Sequence, residues 1–327
     1  MKKIIFFIAV ILTVARVSAQ TQIYPKEFFV AQDGSAQFKT IQEAVNAVRD
    51  LSQQVVTIHI KKGIYAEKLI IPSWKTKIAL VGEDKENTII TNADFSGKPF
   101  PGGKDAMGRA AYSTYTSYTV LVQGNDFTAE NLTIENKAGR VGQAVALHVE
   151  GDRCVVKNCK LLGNQDTLYA ATEGSRQFYQ NCYIEGTTDF IFGEATAVFQ
   201  DCTLRELTNS VITAASTTPR QRFGYVFFHC TIVADDGLRV ELGRPWRPYA
   251  KVVFISCDMG NHVVPLAWSN WGNPENEKTV LYTEYDSKNA GNIAGRPKWT
   301  QQLTVSNLKE YTLPNILGGA DHWNPLK

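Results

Sequence analysis

Asp166 and Asp189 occupy the same position in two copies of one repeat. Each follows a cysteine by seven residues, Cys159 in NCKLLGNQDTL and Cys182 in NCYIEGTTDFIFG. Two carboxylates brought to one spot cannot both ionise at ordinary pH, because the charge on one raises the proton affinity of the other. Such a pair titrates as a coupled unit and supplies one acid and one base. An aspartate after a strand is, taken alone, most often a turn former. The shared register is what turns this pair toward catalysis.

The register belongs to a longer series in which a short apolar strand ends in a polar residue, then Cys or Leu, then an alternating pair. Copies start at Phe127, Cys154, Gln177, Ala197, Tyr225 and Val252, spaced 27, 23, 20, 28 and 27 residues apart. Self-similarity on this scale marks a solenoid. The units are β-branched and aromatic with no amphipathic helix between them, which predicts an all-β, single-stranded parallel β-helix. Stacked coils lie about 4.7–4.9 Å apart, so Asp166 and Asp189 become vertical neighbours.

The chain has 327 residues with 44% hydrophobic content, enough for a sizeable core. Lys2 and Lys3 precede an apolar run from Ile4 to Val14, and Val17-Ser18-Ala19 offers a small-residue cleavage site. Residues 1–19 therefore read as a secretory signal peptide and 20–327 as a single catalytic domain, soluble and either periplasmic or extracellular. With no Cys between the cleavage region and Cys154, a lipid anchor is not expected, and no later segment is long and apolar enough to span a bilayer. A net charge of +2 without basic runs gives no sign of nucleic-acid binding.

Five of the six cysteines, Cys159, Cys182, Cys202, Cys230 and Cys257, hold the equivalent place in successive coils. A buried ladder of small apolar residues explains most of them. Export leaves room for one bridge between adjacent coils, and Cys182–Cys202, in the shortest coil, is the candidate. The five histidines show no metal-ligand spacing, so no metal and no cofactor are expected.

Phe38, Ile41, Val45 and Val48 in FKTIQEAVNAVRD share one helical face, predicting a helix of about thirteen residues that caps the open amino-terminal end of the stack. Strands are expected at 55–60, 68–71, 77–82 and 88–91, with GIYAE at 63–67 as a structural turn. A long irregular loop follows over 92–117 and reads as a binding wall. SNLKEYTL in the carboxy-terminal tail is a short helical candidate, and the tail should pack along the side or end of the stack.

Five segments in order, GIYAE (63–67), QAVAL (143–147), GNQDTLY (163–169), GTTDFIFG (186–193) and LGRPW (242–246), closely resemble the pectin methylesterase family over nearly the whole mature chain. The resemblance implies a right-handed β-helix and hydrolysis of galacturonate methyl esters in pectin, with methyl-esterified homogalacturonan as the partner of a monomeric enzyme. By matching motifs, Asp189 is implied as nucleophile and Asp166 as general acid/base. Gln143 and Gln165 match the oxyanion-hole amides, and Arg244 matches the arginine that contacts the nucleophile, where it would lower the carboxylate's pKa and fix its orientation. Trp246 is implied as a sugar platform, Tyr169 and Phe192 as groove lining, and Thr114 as a further contact. Phe190 and Ile191 are candidates for the core, while Trp268 and Trp271 could extend the groove. The loop from Gly102 to Tyr118 is only loosely similar to the family pattern.

Other enzymes acting on pectin, including lyases and polygalacturonases, also use β-helices. Such lyases commonly need calcium-binding carboxylate clusters and a basic residue as base, and the glycosidic hydrolases use carboxylates that flank the linkage, whereas stacked carboxylates beside two amides favour ester chemistry. A non-catalytic carbohydrate-binding β-helix would need the aromatic wall but not the Asp-Asp-Arg-Gln-Gln set.

Overall fold

The computed structural model describes residues 23–290 and 293–327; the proposed signal peptide lies outside them. Strands of two to five residues coil into three parallel sheets, one of eleven strands and two of seven. Seven full turns of the right-handed β-helix each add one strand to every sheet, and the large sheet gains one further strand at its start and three at its end, so residues one coil apart become hydrogen-bonded neighbours. In the largest sheet Cys154 pairs with Gln177, Gln177 with Ala197, Ala197 with Tyr225, and Tyr225 with Val252. These pairs join the starts of the repeat copies read from the sequence.

The polar residue that closes each repeat has a backbone reason. Asn131, Asn158, Asn181, Asp201, His229 and Ser256 all take φ between 50° and 56°, the left-handed bend that turns the chain from one sheet into the next. Asn and Asp tolerate that conformation best among residues with a side chain. Cysteine follows in the last five of these copies, and all six cysteines are buried and free. The expected Cys182–Cys202 bridge is therefore corrected: Cys182 Sγ donates to the carbonyls of Val156 and Gln180 at 3.3 Å, and Cys202 Sγ to those of Tyr179 and Gln200 at 3.5 Å. Each thiol is engaged with backbone oxygens of its own coil and the one before.

Inside the stack, Tyr179, Phe199, Phe227 and Phe254 form a column with ring centroids 4.7, 4.5 and 4.3 Å apart and nearly parallel planes. Such pairs add roughly 0.5–1.5 kcal/mol each beyond area burial. This column backs the coils that carry the aspartates.

The capping helix is shorter than its apolar periodicity suggests, Ile41–Ala47, with Ile41, Ala44 and Val45 turned inward. Thr40 and Glu43 close a capping box at its start, and Val48 leaves it at ψ 136°. Phe38 lies upstream, bridged to Val30 as extended chain. Glu67 of the GIYAE segment adds a second cap, its carboxylate accepting from the amides of Ile41 and Gln42 at 2.9 and 3.0 Å. In the tail, helical turns span Val305–Leu308 and Leu313–Leu317, so SNLKEYTL is interrupted rather than continuous. Ile316 and Leu317 pack along the side of the large sheet with Phe178, Val198 and Val226.

Candidate active site

Both aspartates sit at the turn that leads into a strand of the same seven-stranded sheet. Leu168 pairs with Ile191 and Tyr169 with Phe192, which places Asp166 and Asp189 one coil apart at matching positions. Asp166 takes φ 67° and donates its amide to the Thr188 carbonyl at 3.1 Å; Asp189 takes φ 50° and donates to that of Val211 at 2.7 Å. Gly186 allows this turn to close, since a Cβ there would come within 2.2 Å of Phe190 Cβ. Gln165 precedes Asp166 and bridges to Gln143 in the coil before.

Arg244 reaches Asp189 from two coils further on. Its Nε donates to Asp189 Oδ1 at 2.9 Å and its Nη2 to Oδ2 at 2.7 Å, the forked geometry that a lysine cannot reproduce. Trp271 covers the outer face of the guanidinium, with Cζ 3.9 Å from a ring centroid. Asp166 and Asp189 are 7% and 5% exposed. Burial first, and the charge of Asp189 second, push the Asp166 carboxyl well above the ordinary range, while Arg244 offsets this only in part. Asp189 is also raised, by burial, with Arg244 acting against it. The arginine lowers the Asp189 pKa as expected, but removing the carboxylate from water outweighs it. Asp166 nonetheless has the stronger hold on a proton, since it has no fork of its own.

These groups open into a cleft of about 270 Å³ lined by Thr114, Gln143, Gln165, Asp166, Asp189, Phe192, Arg244, Trp246 and Trp271. Tyr169 stands one ring behind, stacked on Phe192 at 4.4 Å with planes 4° apart, and Trp246 meets both edge-on. Phe190 and Ile191 are fully buried, as read. Trp268 does not extend the groove: it is 2% exposed, stacks on Tyr282 and donates Nε1 to Glu284 at 2.9 Å. Trp271 does line the cleft.

Sequence reasoning missed Tyr115, which lines the cleft from the long loop beside Thr114 and lies 5.8 Å from Tyr169. It also missed Glu206, which is fully buried at the end of a strand in the coil after the Asp189 turn. Alternation in TLRE would have pointed it inward. Its Oε1 accepts from the Thr208 amide at 3.2 Å while its Oε2 has no partner among the described residues. Burial, with the charge of Asp189 adding, pushes the Glu206 carboxyl up to about 9. No cluster of three or more His, Cys, Asp or Glu side chains among the described residues could hold a metal ion.

Residues 27–320 match the Pectinesterase family. The chain belongs to that family. A probable pectinesterase/pectinesterase inhibitor 21 of Arabidopsis thaliana is 36% identical over 328 residues, covering 95% of this chain and 46% of the relative. The chain spans about half the length of the first curated relatives it matches, 41–53% of each. Among solved structures, pectin methylesterase from carrot superposes with a TM-score of 0.82 at 32% identity, covering 92% of this chain and 96% of that one. A pectin methylesterase in complex with hexasaccharide VII gives 0.77 at 29% identity, with 91% and 98% covered.

Proposed function

We propose that this member of the pectinesterase family is a carboxylic ester hydrolase that removes methyl groups from galacturonate esters of pectin and works through an acyl-aspartyl intermediate. The observation that carries this reading is the forked Arg244–Asp189 pair set one coil from a more tightly protonated Asp166 in a buried cleft. Family membership and likeness to pectin methylesterase structures support the same chemistry.

Ionised Asp189, oriented by Arg244, attacks the ester carbonyl. Charge develops on the carbonyl oxygen, and the amide N–H groups of Gln143 and Gln165 donate to it without altering the charge of the pair. Collapse breaks the bond to the methoxy group, which leaves as methanol with the proton of Asp166. Asp166, now a carboxylate, takes a proton from water as that water attacks the sugar-side carbonyl. Asp189 departs as a carboxylate and the initial state returns. Trp246 and Phe192, backed by Tyr169, offer apolar faces to the sugar, with Thr114 as a polar contact from the loop.

The scheme calls on no group from a second chain, and we propose that the enzyme acts as a monomer. The amino-terminal signal read from the sequence supports a periplasmic or extracellular place of work.

Incubation with methyl-esterified pectin is expected to release methanol without new reducing or unsaturated ends, and Asp189→Ala to abolish release while polymer binding persists. Methanol from the variant, or none from the wild type, would sink the assignment. Hydroxylamine should divert product to the galacturonyl hydroxamate; a failure to divert it removes the covalent step.

A further inference from the structure

The long loop over 92–117 meets the stack at one ammonium group. Lys68 stands just before Leu69–Ile71, the end strand of the sheet that carries Tyr169 and Phe192. Its Nζ donates to Asp94 Oδ2 at 2.8 Å, to the Thr116 carbonyl at 2.6 Å and to the Tyr118 carbonyl at 3.1 Å. An ammonium has three protons, and these partners take all of them. The rings of Tyr112 and Tyr118 face the same nitrogen, with centroids 4.7 and 4.4 Å away. Asp94 lies where the loop begins, Thr116 and Tyr118 where it ends, so one side chain ties the two together.

The tie is ionic and shielded from water. Asp94 is 6% exposed, and its carboxylate also accepts from Lys98 Nζ at 2.8 Å and from Asn92 Nδ2 at 2.9 Å. Burial works to raise its carboxyl, but Lys68, Lys98 and Asn92 together hold it down at about 2. Beyond the tie the loop supports itself as a hairpin. The amides of Gly97, Tyr112 and Phe100 donate to the carbonyls of Tyr112, Lys98 and Ala110 at 2.8, 2.9 and 3.0 Å, and Phe100 lies against Tyr112 with ring centroids 4.1 Å apart. Thr114 and Tyr115, which line the cleft, fall between this hairpin and the Thr116 carbonyl that Lys68 holds.

We infer that Lys68 is a positioning residue for substrate: by clasping both ends of the loop it fixes Thr114 and Tyr115 as a wall of the cleft. The inference rests on the proposed esterase reading for what that wall contacts. It gives a lysine outside the cleft lining a share in binding rather than in the chemical step. Without the clasp the hairpin can swing as a unit, and ordering it again around a substrate costs affinity.

Lys68→Met keeps an unbranched stem and leaves Asp94 its bonds to Lys98 and Asn92. With methyl-esterified pectin it is expected to raise KM about three- to tenfold and to leave kcat within about twofold of wild type. In a chain already carrying Tyr115→Ala, the same substitution should raise KM by no more than about twofold, because the wall it positions is gone. Asp94→Asn, which keeps the size of the group and removes its charge, should move KM in the same direction. Trypsin cleavage of the folded protein after Lys98, Lys104 or Arg109 should run about fivefold faster or more in Lys68→Met. An unmoved KM in both single variants, a fall in kcat alone, or an undiminished effect in the Tyr115→Ala chain overturns the inference. Absence of methanol from the wild type would instead count against the esterase reading, and the trypsin comparison would still decide whether Lys68 holds the loop.

Discussion

Glu206→Gln isolates the consequence of burying an acid beneath the Asp189 turn. At a pH below about 4.5, the ordinary glutamate value, Glu206 is protonated in folded and unfolded chains alike, and its ionisation contributes nothing to stability. Between there and about 9 the unfolded chain releases the proton and the folded chain keeps it. The folded state then binds more protons, so stability falls as pH rises, by about 1.4 kcal/mol per unit. Near pH 7 the accumulated loss is on the order of 3 kcal/mol. Glutamine keeps an oxygen to accept from the Thr208 amide and cannot ionise. Its second amide proton faces a site where Oε2 has no partner, which costs about 1–3 kcal/mol independent of pH. Urea denaturation of both proteins at about pH 4.5, 6.5 and 8.5 should therefore show the variant gaining on the wild type at each step, by several kcal/mol in all. A stability difference that stays constant across that range would refute the buried-acid account.

Gln165→Ala, which removes one proposed oxyanion donor, is expected to lower kcat by about 10²–10³ with KM changed far less, measured by methanol release. Arg244→Lys loses the fork that opposes the upward push on Asp189. The proposed nucleophile then needs a higher pH to ionise, and the acid limb of the rate profile should move upward; an unmoved limb argues against Asp189 as the ionised partner. Phe227→Ala breaks the aromatic column and should cost about 3–5 kcal/mol in denaturant titrations. Without reductant, Ellman titration should find six reactive thiols after unfolding and almost none before; four would restore a bridge.

The coiled architecture was legible because a solenoid writes its geometry into the chain as a repeat. Once Cys154, Gln177, Ala197, Tyr225 and Val252 were aligned, their pairing in one sheet followed, since each residue of a parallel stack has one neighbour above and one below. The same logic brought Asp166 beside Asp189. Local signals served less well where the ends of elements depend on their neighbours. Apolar spacing could not show that Thr40 and Glu67 would start the capping helix late, or that Val48 would end it early.

What the sequence alone determined is thus the set of chemical groups and their order along the axis: two acids and two amides on adjoining coils, with an arginine two coils further on. Tertiary structure decided everything that depends on distance from water. It made Trp268 a core residue and Trp271 a wall of the cleft, although the two lie three positions apart. It turned a bridge expected between cysteines into thiols bonded to backbone carbonyls. It also decided the contest over Asp189, where burial outweighs the arginine. Desolvation grows with the packing of the whole molecule around a group, and that packing comes from residues remote in the chain.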